Sequence, residues 1–257
     1  MKRFLLILFG IVLAGCEAQA TPIAAIVTET NTPEPTAIPI PDLRYGIAGN
    51  IAPYIGDMGT IPFEILSADS AISDFDLVVA YGIYDGWEQA PHSHRVSLAI
   101  NPNLAPLDNA SISDLIHDVI DSQAIVDSLN IPGSQQTTEL ATVSANSIRT
   151  TLANAGYPDG FQLTMATENI PAVDVLASQF AVLSMDMRLI ELSETVLVDN
   201  QAHLILFIWS HEGERAGWVS QVGEGNIIDL WTMPISYLNN SAVTVEFTEN
   251  GIPIPAQ

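Results

Sequence analysis

The chain beyond residue 42 is predicted to be α/β. Short apolar runs bounded by turn residues mark strands at 77–80, 95–100 and 202–209. Segments with apolar residues at helical spacing lie between them, at 111–129, 144–155 and 169–184. A strand–helix–strand order over 161–193 then implies a parallel pair joined by a crossover helix.

The elements follow in order. Leu77 to Ala80 is ended by Tyr81-Gly82, and the strand from Arg95 stops at Asn101-Pro102. Ser111 or Ser113 is placed to cap a helix carrying Leu115, Ile116, Val119 and Ile120. Asp121 begins a second short helix with Ile125, Val126 and Leu129. Ser144 is the expected N-cap of a third, with Ile148 and Leu152 on one face and Gly156 in the left-handed position past its end. Tyr157-Pro158-Asp159-Gly160 suits a β-turn, after which Phe161, Leu163 and Met165 alternate with polar residues. The next helix puts Val173, Leu176, Phe180 and Leu183 on one face, and "RLIELS" is a strand. "AHLILFIW" (202–209) is a central strand, "EGERAGWVSQVGEGN" is glycine-rich and loop-like, and the end of the chain gives short strands divided at Asn239-Asn240 and Asn250-Gly251.

The amino-terminal residues have a different character. Lys2 and Arg3 precede the apolar stretch "FLLILFGIVLAG", which is too short to span a bilayer and has the form of a signal peptide, assigned to residues 1–15. Leu13-Ala14-Gly15-Cys16 looks like a bacterial lipobox, which implies lipidation of Cys16 by acyl chains such as palmitate; a chance cysteine behind a plain secretory signal is the alternative. It is the only cysteine, so no intramolecular disulfide is available. Residues 16–42, rich in proline and threonine, are expected to be a disordered, semi-rigid tether. From Cys16 onward five arginines and no lysine stand against 30 carboxylates, a balance of −25 that excludes nucleic acid and anionic lipid headgroups as partners.

Two stretches carry a family resemblance: "VIDSQAIVDSL" (119–129) and "LANAGYPDGFQLTM" (152–165), with "VLASQFAVLSMDMRLIEL" (175–192) following in the same order. They resemble the peptide/nickel-binding family (family 5) of extracytoplasmic solute-binding proteins of ABC transporters, in which segments like "AIDREAIVD" and "AGYPDGFELTL" occupy these places. Ser122-Gln123 stands where the family has Arg-Glu, the glycine usual before the last strand is missing around Ser184 to Asp186, and family members are roughly twice as long. The resemblance implies a compact, two-lobed periplasmic-binding-protein-like (type II) fold. Residues 43–99 plus 203–257 would form one lobe and 100–202 the other, with hinge crossings near Ile100 to Pro102 and Asn200 to His203. It implies a ligand in the cleft between lobes and no bond chemistry.

Candidate site residues are drawn from aromatics and scarce cations. Tyr81, Tyr84, Trp87, Trp209, Trp218, Trp231 and Tyr237 lie near turns or strand ends, with core packing as the competing role for each. Tyr84 and Trp87 follow a strand end in a glycine-containing loop, where sites of open α/β sheets gather. Arg95 and Arg215 are candidates to clamp a ligand carboxylate, against the alternative of a surface ion pair. His92 and His94, on one side of an extended segment, with His211 more distant, form a candidate zinc or nickel site, against an exposed pair without metal. No nucleophile elbow, P-loop or dinucleotide fingerprint occurs, and no cofactor is implied.

The leading expectation is a membrane-tethered extracytoplasmic solute-binding lipoprotein, not an enzyme. It would take a small organic solute or short peptide on the outer face of the cell membrane and pass it to an ABC permease. The alternatives are a degenerate relative acting as a surface interaction module, and a metal-dependent enzyme built on His92, His94 and His211.

Overall fold

The computed structural model describes residues 43–54, 61–67, 69–137, 143–182, 184–193 and 195–256. The signal segment, Cys16 and the tether lie outside the described residues.

Thirteen strands and five helices follow one another among these residues: β1 (Tyr45–Ala48), β2 (Glu64–Leu66), β3 (Leu77–Tyr81), β4 (Glu88–Gln89), β5 (His94–Ile100), α1 (Ala110–Val119), α2 (Ser122–Leu129), β6 (Gln135–Gln136), α3 (Ala145–Asn154), β7 (Phe161–Thr167), α4 (Val173–Val182), β8 (Met185–Glu191), β9 (Leu204–Trp209), α5 (Glu212–Val222), β10 (Ile227–Met233), β11 (Ile235–Asn239), β12 (Val245–Phe247) and β13 (Pro253–Pro255). The fold is mixed α/β, as the alternating signals imply.

The strands form a five-stranded sheet in the order β2-β1-β3-β11-β4, a six-stranded sheet in the order β6-β10-β5-β9-β7-β8, and a small β12-β13 ribbon. In the six-stranded sheet β8, β7 and β9 run parallel, while β5 pairs antiparallel with β9 in a register that sets Arg95 opposite Trp209. The predicted strand–helix–strand unit is β7-α4-β8, a parallel pair with Phe161 opposite Met185 and Thr167 opposite Glu191.

Side-chain alternation explains why β9 is apolar along its whole length. Leu204 and Leu206 enter the main core, together with Leu98 and Ile100 of β5, Leu163 and Met165 of β7, and the buried faces of α1 to α4. Ile205, Phe207 and Trp209 point to the opposite face and pack in a second core with Val196, Ala202 and Val222. A strand covered on both faces has no polar side to show.

The stretch from Ser144 to the start of β7 folds as its residues dictate. Ser144 caps α3 by accepting from the Ser147 N–H at 3.2 Å. At the other end the Tyr157 N–H reaches the Leu152 carbonyl and the Gly156 N–H the Ala153 carbonyl. This is a Schellman closure, with Gly156 at φ +94° as its left-handed residue. The Gly160 N–H then closes the Tyr157–Gly160 turn at 3.0 Å and delivers the chain into β7.

Two sequence expectations differ from the structure. The cap of α1 is Asn109, whose side chain accepts from the Ser111 N–H, in place of Ser111 or Ser113. The segment expected as a loop is the helix α5. Its glycines Gly213 and Gly217 are exposed, whereas Trp218 stacks on Phe207 at 5.1 Å and Val222 is buried. The tertiary contact of that stripe outweighs the weak local propensity of glycine.

All strands of the five-stranded sheet come from 43–99 and 203–257, whereas the six-stranded sheet takes three strands from there and three from 100–202. At residues 100–102 and 200–203 the Asn101 N–H donates to the His203 carbonyl at 2.8 Å and its side chain to the Ala202 carbonyl at 3.1 Å. The chain passes from one sheet to the other at residues 90–93 and again at Pro234.

Candidate functional site

Parallel strands end together, and in open α/β sheets the crevice outside their carboxyl ends is where ligands gather. Here β7 ends at Thr167, β8 at Glu191 and β9 at Trp209, while β5 begins alongside with His94 and Arg95. Three cavities line this edge. The central one, about 270 Å³, is walled by Tyr54, His94, Glu168, Trp209, Glu214 and Asn250, among others. It shares Trp209 and Ser210 with a second of about 510 Å³ that holds His92, Arg95 and His211. It shares Tyr54 and Glu168 with a third of about 720 Å³ that holds Val173, Leu189 and Leu192. Together they make a groove along the carboxyl edge of the six-stranded sheet, closed on one side by Tyr54, which follows β1, and by Asn250 near the chain end.

Trp209 stands at the junction of two of these cavities and its ring is fixed. Its indole N–H donates to Ser97 Oγ at 2.8 Å, and Ser97 donates to Asp229 Oδ1 at 2.7 Å. Arg215 Nε donates to the same Asp229 oxygen at 3.1 Å, and its fork binds Glu224 at 2.8 and 3.2 Å. Arg215 is therefore committed to protein carboxylates, which raise its already high pKa further. Arg95 is not so committed: its guanidinium lies 4.9 Å from the Trp209 ring centroid and only 3.8 Å from an oxygen of exposed Glu212.

The acidic wall is built differently. Glu214 accepts from the Ser210 N–H at 2.6 Å and from the His211 N–H at 3.5 Å, a reach-back that anchors the first turn of α5. Glu168 follows the last residue of β7. Desolvation, and then the charge of Glu214, push its carboxyl above the usual range.

His94 is buried and fully engaged. Its Nε2–H donates to the Asn250 carbonyl at 2.8 Å, which leaves Nδ1 to accept from the Tyr81 hydroxyl at 2.5 Å. Burial holds its pKa below the ordinary value, so the ring is neutral. The sequence expectation placed His92, His94 and His211 in a candidate metal site. Among the described residues no group of three His, Cys, Asp or Glu is placed to hold a metal, and neither nitrogen of His94 is free. His92 packs against Gly251 and lines the cavity of Arg95, while His211 opens α5.

Of the other candidates, Tyr84 and Trp87 stack on one another at 5.1 Å and the Tyr84 hydroxyl donates to the Tyr81 carbonyl, but neither lines the groove. Trp231 is wholly buried, its indole N–H without a partner among the described residues. Tyr237 is buried and donates to Glu88 at 2.7 Å, with its pKa pushed up to about 12 by burial and then by that carboxylate. The structure thus gathers Arg95, Trp209, His92 and His211 at one groove, with Arg215 bracing it. Glu168, Glu214, Tyr54 and Asn250 were not singled out from sequence. Glu168 had a signal, since it lies just past a strand end in a strand–helix–strand unit, but it was one acid among 30.

No family model matches this chain, and no curated protein matches its sequence. Among solved structures it is similar to Haemophilus influenzae OppA in complex with the peptide RPPGFSPFR (12 % identity, 66 % of this chain and 51 % of that one, TM-score 0.49). It is also similar to the dipeptide-binding protein of a Pseudoalteromonas species in complex with Met-Leu (10 % identity, 69 % and 49 %, TM-score 0.48). A third is a periplasmic oligopeptide-binding protein of Borrelia burgdorferi (14 % identity, 65 % and 50 %, TM-score 0.45). The chain spans about half the length of each of these proteins. Among the described residues no helix is long and apolar enough to cross a membrane.

Proposed function

We propose that this chain is an extracytoplasmic solute-binding lipoprotein that holds a small organic solute or short peptide for an ABC permease and carries out no bond chemistry. The observation that carries the reading is the groove itself. It lies at the carboxyl ends of three parallel strands and is lined in part by residues 91–93, at one of the two places where the chain crosses between its two sheets. A ligand seated there touches the six-stranded sheet through Trp209 and Glu168 and the opposite side through Tyr54 and Asn250, so binding favours a closed arrangement of the two. Under this reading the moving bodies follow the two sheets. Cys16 tethers the domain to the membrane through its acyl chains, and residues 17–42 let it reach the permease. The resemblance of residues 119–192 to family 5 receptors supports the same reading.

Thermal-shift measurements across a panel of peptides, amino acids and other small solutes test it. Stabilisation by one ligand class is the expected result. No shift with any ligand, together with an experimental structure in which side chains fill the groove, overturns it.

A further inference from the structure

Strand β8 closes the six-stranded sheet at one edge, and its ladder with β7 fixes which backbone groups face outward. The Phe161 N–H donates to the Ser184 carbonyl at one end of that ladder, and the Leu192 N–H to the Thr167 carbonyl at the other. In a parallel ladder alternate residues of a strand turn both their groups to one neighbour. The even positions from Ser184 to Leu192 therefore face β7. Met185, Met187, Leu189 and Glu191 turn their N–H and C=O groups away from it, and among the described residues no strand pairs with that side. An open edge of seven residues is a template for another strand.

Side chains on this edge are sorted by face. Met185 and Met187 pack in the main core, while Leu189, on the same face, stays 40 % exposed. Asp186 and Arg188 stand exposed on the other face, where Ile190 joins the second core. Arg44, Arg95 and Arg215 each face a carboxylate, whereas neither Arg188 nor Asp186 has an ion pair among the described residues. Charges of one sign along an edge would repel a copy of the same edge. Opposite signs two residues apart attract one, in a single register.

We propose that β8 pairs antiparallel with β8 of a second copy of this chain, about a two-fold axis at Met187, and so extends the sheet across a dimer. In this register Met187 meets its own counterpart as a hydrogen-bonded pair. Asp186 of each copy then lies opposite Arg188 of the other in the closer, non-hydrogen-bonded pairs. On the opposite face Met185 meets Leu189, which covers the exposed leucine. Moving the axis one residue sets Asp186 against Asp186, or Arg188 against Arg188, so both neighbouring registers are disfavoured. The self-matching charge order is what makes the occupant a second copy. The proposal does not depend on the receptor reading.

Sedimentation of the full-length protein in density-matched detergent tests it. The wild type is expected to pass from monomer to dimer as concentration rises. Asp186→Arg and Arg188→Asp each turn two attractive pairs into two repulsive ones, and each is expected to weaken association by about tenfold or more. Mixed in equal amounts, the two variants face one another with opposite charges at both positions, and dimers are expected to return. The double variant, Asp186→Arg with Arg188→Asp, exchanges the charges and is expected to dimerise like wild type. A wild-type protein that stays monomeric up to about 1 mM overturns the proposal, and this measurement needs no variant. So does a dimer that ignores both charge reversals, or folded variants that fail to associate both in the mixture and as the double exchange.

Discussion

The indole N–H of Trp209 donates to Ser97 Oγ at 2.8 Å across the β9–β5 pair, and both residues are almost wholly buried. Because the Ser97 hydroxyl in turn donates a hydrogen bond to Asp229, the ring is anchored through a chain that ends at Arg215. Ser97→Ala deletes the acceptor and leaves a buried N–H without a partner. The expected loss is about 1–3 kcal/mol. It is read as a lower urea midpoint with an unchanged slope, and a midpoint equal to wild type would show that the chain does not hold Trp209.

Gly156 and Gly160, four residues apart, are expected to respond very differently to alanine. Both have positive φ, +94° and +84°. A Cβ on Gly156 meets nothing within 4 Å, so Gly156→Ala carries only the left-handed penalty of about 1–2 kcal/mol. A Cβ on Gly160 would overlap the Ser184 carbonyl, which also receives the Phe161 N–H at the start of the β7–β8 pair. Strain and overpacking then add, and Gly160→Ala is expected to cost about 3 kcal/mol or more. Denaturant unfolding of the two variants side by side checks this; equal losses would count against the Ser184 contact.

The same pair of glycines shows what the sequence made legible. A helix stop, a turn and a strand start are local events, written in residues adjacent to one another, and Ser144, Gly156 and Gly160 act where their chemistry places them. Helix α5 was hidden because its stability comes from Trp218 against Phe207, a contact made only after β9 is in place. The candidate site divides in the same way. Arg95 and Trp209 stood out because cations and tryptophans are scarce in this chain. His94 drew attention for the same reason, yet its place in the fold makes it a buried link to Asn250. Glu168 and Glu214 gave no contrast against 28 other acids, and only the convergence of β7 and α5 sets them on one cavity.

The proposed lipidation of Cys16 makes a prediction independent of the fold. Cys16→Ser removes the thiol that would be acylated, and stable anchoring needs more than one acyl chain. The variant is expected to lose incorporation of radiolabelled palmitate in the bacterial host and to move from the membrane pellet to the soluble or secreted fraction. A Cys16→Ser protein that still pellets with membranes would contradict the tether.

Acid is expected to destabilise the domain through its histidines. His94, His117 and His203 all have pKa values held below the ordinary 6.5, in each case chiefly by burial. His203 shows the cost of protonation in structural terms: its Nδ1 accepts from the Thr164 N–H at 3.0 Å, while Nε2–H donates to the Ala105 carbonyl at 3.1 Å. A proton on Nδ1 removes that acceptor and turns the bond with β7 into a repulsive contact. For a depressed imidazole the unfolded chain takes up protons first, so the stability is complete above 6.5 and is lost as pH falls through that value toward the folded pKa. Glu168 works in the opposite sense, since its raised carboxyl favours the folded state as it protonates at lower pH. The Glu168→Gln background therefore isolates the histidines. In it, the urea midpoint is expected to fall between about pH 7.5 and about pH 5.5, and His203→Gln is expected to reduce that fall. A midpoint that stays level or rises over this range would mean that these imidazoles are not held neutral by the fold.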